Sequence, residues 1–161
     1  MGRQEFPLEH PPTVTDNVSP ATRSRIMSAI RSRDTKPEVT VRKFLHVQGF
    51  RYRLNHKELP GKPDLVLRRR NAVVLVHGCY WHGHSNCQYA TESATRREYW
   101  RQKIAANKER DARVIGELNA LGWRTAVIWE CALRKESQVA LSKLERFLLS
   151  NEPAVDIAWR V

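Results

Sequence analysis

Residues 77 to 87 read His-Gly-Cys-Tyr-Trp-His-Gly-His-Ser-Asn-Cys and hold three of the chain's six histidines and two of its three cysteines. The apolar run Ala72-Val73-Val74-Leu75-Val76 leads into them, and its β-branched content predicts a buried strand. Glycines at 78 and 83 let the backbone turn without Cβ clashes. A rigid strand therefore delivers imidazoles, thiols and two aromatic rings, Tyr80 and Trp81, into one compact loop. Such a loop is suited to metal binding or to catalysis.

Cys79, His84 and Cys87 are three borderline-to-soft ligands at spacings that a loop can fold around one ion. Zinc in a structural site takes four such ligands tetrahedrally, and Cys131, just after a predicted strand, is the natural fourth. The alternative for Cys131 is a buried core thiol. That set leaves His77 and His82 over. Asp64 follows Pro63 and opens a strand predicted to pair with the one that delivers His77. This is the layout of a metal-dependent nuclease, in which an Asp carboxylate and a carbonyl on the adjacent strand hold Mg²⁺ against the scissile phosphate.

Charge points the same way. Twenty-eight Lys and Arg against seventeen Asp and Glu leave +11, an excess that favours polyanions through counterion release. The 161 residues suffice for one domain with a real core. No apolar run approaches the roughly 20 residues of a membrane span, and the first residues lack the apolar core of a signal peptide. The expectation is a cytoplasmic, nucleoid-associated monomer, with its thiols reduced rather than paired.

Along the chain, residues 1 to 18 are expected to form a mobile arm and 19 to 161 a single domain. Ser19-Pro20 opens a short helix with Ile26, Met27 and Ile30 on one face, and Arg23, Arg25 and Arg31 on the other as phosphate contacts. Thr35, Pro37 and Glu38 form the start of a second helix whose expected buried face is Val39, Val41, Phe44, Leu45 and Val47. An edge strand at 50 to 54 and a turn at 59 to 63 containing Lys62, a further candidate DNA contact, come next. The strand from Asp64 makes a hairpin with 72 to 76 through Arg68-Arg69-Arg70-Asn71. Thr95 is expected to cap a long helix to about Leu121, with Trp100, Ile104, Ile115 and Leu118 on its apolar face. A central strand over 123 to 129 and a helix over 137 to 150, docked by Val139, Leu141, Leu144, Phe147 and Leu148, complete an α/β fold. It is a mixed sheet flanked by helices.

These motifs together resemble the very short patch repair (Vsr) endonucleases. The resemblance rests on Pro60-Gly61-Lys62-Pro63-Asp64, on His77 through His84, on Ala94-Thr95-Arg96 through Trp100, and on Trp129-Glu130-Cys131-Ala132-Leu133. Ala21-Thr22-Arg23-Ser24 and Arg33-Asp34-Thr35 also fit, so the likeness runs from about residue 20 to 135. It implies a restriction-endonuclease-like core with a structural zinc, and nicking of duplex DNA 5′ to the T of T·G mismatches left by 5-methylcytosine deamination. It further implies that Asp64 and the Val76 carbonyl hold Mg²⁺, His82 is general base, His77 assists at the phosphate and Glu38 orients water or a histidine. Tyr80, where relatives often have phenylalanine, would wedge with Trp81 and Trp100 beside the mismatch. Asn107 and Asp111, four apart on the long helix, are candidate supports, and mismatch-repair proteins are candidate partners. The Ser85-Asn86 loop differs in length among relatives. No lysine takes the usual restriction-enzyme position, and His82 stands in its place.

Two other functions fit the same scaffold: a restriction-type nuclease, or a zinc-stabilised DNA-binding module without catalysis. The module would need the Cys/His set but has no use for Asp64 and His82 together.

Overall fold

The computed structural model describes residues 19, 22, 25, 33–93 and 96–159. The expected arm over 1 to 18, and most of the first helix including Arg23, lie outside them. Of that helix, the Ser19 hydroxyl oxygen accepts from the Thr22 N–H at 3.2 Å, as a capping serine does.

Helix α1, Lys36–Val47, begins where expected. Thr35 Oγ1 accepts from the Glu38 N–H at 3.4 Å and donates to Glu38 Oε1 at 2.9 Å. Val41 and Leu45 form its buried stripe, whereas Val47 is 81% exposed. The expected apolar face was one turn too long: Val47 lies in the last turn, past the sheet.

Strand β1 is only Arg53–Leu54, an edge of two residues. β2, Leu65–Leu67, and β3, Ala72–His77, form the antiparallel hairpin, joined by a 3-10 turn over Arg68–Arg70 and a left-handed Asn71. Helix α2, Arg97–Ala120, then leads to β4, Arg124–Trp129, which pairs parallel to β3 from Ala72↔Arg124 to His77↔Trp129. Its cap position is Arg96, in left-handed conformation; Thr95 lies outside the described residues. Two further elements went unanticipated: a short helix α3, Glu130–Lys135, directly after β4, and a parallel edge strand β5, Ala154–Ile157, after helix α4, Ser137–Leu149. β5 carries Asp156 and follows Pro153, so nothing in its sequence alternates cleanly enough to mark a strand. The sheet order is β1-β2-β3-β4-β5, mixed, with helices on both faces.

The two-residue period of the strands separates two cores. Leu65, Leu67, Ala72, Val74, Ala126, Ile128 and Ile157 face α1 and α4, meeting Val41, Leu45, Leu141, Leu144 and Phe147. Val66 and Val73, opposite each other in register, meet Val114 and Leu118 of α2. Ile104 and Ile115, expected on α2's core face, are only half-buried. Val139 of α4 is 48% exposed, and Ala140 packs in its stead. At the end of the sheet away from the histidines, the Arg124 guanidinium lies 4.5 Å over Phe147 and donates to the carbonyls of Glu152 (2.8 Å), Arg70 (3.2 Å) and Phe147.

Phe147 is 1% exposed and sits at the centre of the larger core. Phe147→Ala is expected to lower unfolding free energy by about 3–5 kcal/mol, measured by urea denaturation.

Candidate active site

The working end of the molecule is where β3 and β4 run out. After His77 the loop coils on itself through backbone bonds: His82 N–H to Gly78 O (3.1 Å), Gly83 N–H to Tyr80 O (3.3 Å) and His84 N–H to Cys79 O (2.9 Å). This coil sends successive side chains to different places. Cys79 and His84 turn one way, His82 another, and Tyr80 and Trp81 a third.

Cys79, His84, Cys87 and Cys131 converge, their ligand atoms all within 4.8 Å of one another. Cys79 and Cys131 are fully buried. Cys131 Sγ lies 3.4 Å from His84 Nδ1, and the Cys131 N–H donates to Cys79 Sγ at 3.3 Å. Such an N–H···S contact suits a thiolate. Burial pushes both thiols up; the sulfurs of Cys131 and Cys87 add to the rise at Cys79, while at Cys131 the bond to Cys79 works against it. A cation is what would reverse that cost, and three sulfurs with one imidazole suit a tetrahedral, borderline-soft ion. The residues fit a metal.

On the other side of the loop, His77 and His82 stack face to face, ring centres 3.9 Å apart and planes 7° from parallel. His82 Nδ1 is 2.5 Å from Asp111 Oδ2. Burial pushes the Asp111 carboxyl up, but the bond from His82 and the nearby imidazole charges outweigh it and hold the group below its ordinary range. Asp111 is thus a carboxylate, and Nδ1 is the His82 nitrogen that donates to it, which turns Nε2 away from this bond. His77 is buried, and burial together with the charge of His82 pulls its pKa down to about 3, so it stays neutral.

Asp64 sits beside this pair. Its Oδ2 accepts the Val76 N–H at 2.7 Å, replacing the ladder bond that β2 no longer supplies beyond Leu65. Burial raises its pKa to about 6, against the lowering effect of that bond; the charge of Glu38 adds to the rise. Glu38 is buried and already accepts from Asp34 N–H (3.1 Å), Thr35 Oγ1 and Arg42 (2.7 Å). Glu38, Lys62, Asp64, Val76, His77 and His82 all line one cleft of about 880 Å³, with Trp81, Asn107 and Asp111 on its wall.

Trp81, on the cleft wall, meets Tyr80 and Trp100 edge to face, the three centroids 5.2–5.8 Å apart, all half-buried and outside both cores. The core-packing alternative for Trp100 does not hold. Asn107 Nδ2 donates to the Trp81 carbonyl at 2.8 Å, so Asn107 and Asp111 both serve this region rather than a solvated helix face. Lys62 and Arg25 are exposed. The sequence reading passed over Lys103, whose ammonium lies 5.7 Å over Trp100, and Trp129, which packs against both His77 and His84. Position opposite the cluster on the next strand was the available signal for Trp129.

Comparison with known proteins decides the family. The sequence profile of DNA mismatch endonuclease Vsr matches residues 15–88. DNA mismatch endonuclease Vsr of Escherichia coli is 46% identical over 114 residues, 71% of this chain and 72% of that one. The chain belongs to the Vsr family of DNA mismatch endonucleases. A type II nicking enzyme of Xanthomonas oryzae is 48% identical over 120 residues, covering 74% of this chain and 88% of the relative. A second, from Neisseria meningitidis, is 42% identical over 142 residues, covering 88% and 100%. This Vsr-family chain is thus a DNA endonuclease, and among the described residues no helix is long and apolar enough to cross a membrane.

The shifted carboxyl has a measurable signature. Unfolded, Asp64 loses its proton near 3.8; folded and metal-free, near 6. Folding is therefore favoured below the lower value, and stability is lost as pH rises to the upper one, by on the order of 3 kcal/mol. Asp64→Asn is expected to raise the melting temperature of the metal-free protein at pH 7.5 and leave it unchanged near pH 3.5, by calorimetry. An equal effect at both pH values would contradict this reading of Asp64.

Proposed function

We propose that this endonuclease nicks one strand of duplex DNA 5′ to the T of a T·G mismatch, in a Mg²⁺-dependent reaction. The observation that carries the reading is the placing of Asp64 and a stacked His77–His82 pair, with His82 held by Asp111, in one cleft walled by Trp81, whose ring meets Tyr80 and Trp100. A non-catalytic DNA-binding module has no use for that set. The nicking enzymes among its relatives support single-strand cutting, and the mixed sheet suits the restriction-endonuclease-like core expected of the family.

Asp64 and the Val76 carbonyl would hold the magnesium. Within a strand, N–H and C=O of one residue point to the same edge, and the Val76 N–H points at Asp64. When bound, the ion supplies positive charge at the phosphate and lowers the pKa of water. The chain's own groups do the rest. His82 accepts the proton of the attacking water at Nε2, while Asp111 keeps Nδ1 protonated and stabilises the imidazolium. Neutral His77 hydrogen-bonds the phosphate. Glu38, immobilised by its own helix start, orients water near Asp64 as a fixed negative charge. Tyr80, Trp81 and Trp100 enter the base stack, where a mismatch costs least to open. Arg23, Arg25 and Lys62 contact phosphates. Zinc on Cys79, His84, Cys87 and Cys131 would hold the loop in shape.

The test is a labelled duplex with one T·G mismatch beside its T·A and C·G controls, in Mg²⁺ and in EDTA. One Mg²⁺-dependent nick 5′ to the mismatched T is expected. Equal cutting of all duplexes would replace this reading by a restriction-type one, and binding without cutting would remove catalysis altogether. His82→Ala is expected to slow nicking about 10²–10⁴-fold with DNA affinity largely retained.

A further inference from the structure

The metal cluster and the histidine pair look like separate constellations, yet one side chain touches both. Trp129, the last residue of β4, stacks its indole flat on the His84 ring, centroids 4.1 Å apart and planes 11° from parallel. Its edge meets His77 at 5.2 Å and 79°. His77 in turn stacks on His82. The rings His84, Trp129, His77 and His82 thus form one continuous column, from a metal ligand at one end to the proposed general base at the other. The indole is fixed from outside as well: its Nε1–H donates to Asp156 Oδ1 of β5 at 2.6 Å. Asp156 is exposed and otherwise has no place in the core.

Strand register makes this placement obligatory. His77 pairs with Trp129 across the parallel ladder, so the indole must lie beside His77 wherever the loop goes. His84 comes back over the other face of the indole only when the loop coils as described, with Cys79 and Cys131 brought together. An imidazole held by a metal cannot rotate freely. Neither can an indole hydrogen-bonded at one edge and stacked on that imidazole. His77 is buried and has no described side-chain hydrogen bond, so ring contacts are what orient it.

We propose that Trp129 is a positioning residue that carries the geometry of the Cys/His metal centre to the His77–His82 pair, with Asp156 as its anchor. The inference rests on the reading of His82 as general base. Misplacing a reacting group by about 1 Å can cost around a hundredfold in rate, so loosening the column should show in the chemical step and not in DNA binding.

The test compares wild type with Trp129→Leu, Trp129→Phe and the exposed variant Asp156→Ala. For each, single-turnover nicking of the T·G duplex, DNA affinity, zinc per chain and melting temperature are measured. Trp129→Leu is expected to slow the single-turnover step about tenfold or more, with affinity within about twofold and zinc retained. Trp129→Phe, which keeps a ring, should recover most of the rate, and Asp156→Ala should show a smaller loss of the same kind. Loss of zinc and of stability in proportion to rate would make Trp129 merely structural and overturn the proposal, as would an unchanged rate in Trp129→Leu. A second readout needs no catalysis. Exchange of zinc for the larger cadmium ion should shift the imidazole resonances of His77 and His82 in wild type but not in Trp129→Leu. If wild type fails to nick, the base assignment falls while this measurement still decides the column; resonances that move alike in both proteins would sink it.

Discussion

Six consecutive pairs between β3 and β4, ending at His77 and Trp129, are the constraint on which this site depends. A parallel ladder advances both strands in the same direction, so both run out at the same end of the sheet. Whatever follows them must share that end. Cys79 lies two residues past one strand end and Cys131 two past the other, and two facing thiols that could share a metal are thereby brought together from residues 52 apart. The same register lays an indole beside the buried imidazole of His77. Shift it by one residue and every side chain would change face; thiols and rings would then part together.

A second constraint is electrostatic. Asp64 is held half-buried near Glu38 because its carboxyl finishes the ladder that β2 abandons, accepting the Val76 N–H. One of its oxygens, Oδ2, thus meets a structural need of the sheet while the carboxyl faces the cleft. His77 is treated the opposite way, stripped of water and kept uncharged, while His82 is given a carboxylate. Two stacked imidazoles thus acquire different electrostatic environments from their surroundings alone.

Much of this was legible in the residues. The hairpin could be read because β-branched runs flank a short basic turn, and the Cys/His set because three cysteines and a histidine at such spacings match the ligands a structural metal takes. Asp64 was visible from its place before a strand. What escaped did so for physical reasons. α2 spans 24 residues but buries only Val114 and Leu118 fully, so its apolar stripe is faint and no periodicity marks Asp111 as the partner of His82. β5 is half-exposed and interrupted by Asp156, a residue that breaks a strand pattern because it serves an indole. Val47 and Val139 continue helical stripes past the surface they cover, and periodicity has no means of knowing where the sheet ends.

The two glycine loops that flank the cleft share a support. Gly61, just before Asp64, and Gly83, just after His82, both adopt left-handed backbone conformation. A Cβ on the first would fall 2.3 Å from Val114, and on the second 2.5 Å from Ile104, so each loop rests its bare backbone on α2. Those contact points lie ten residues apart, about 15 Å along a helix. One rod therefore acts as a caliper for both jaws: the distance between the carboxylate side and the imidazole side is calibrated by a single helix. Any bend in α2 would move the two jaws in concert, so the width of the cleft and the shape of the helix are one mechanical quantity.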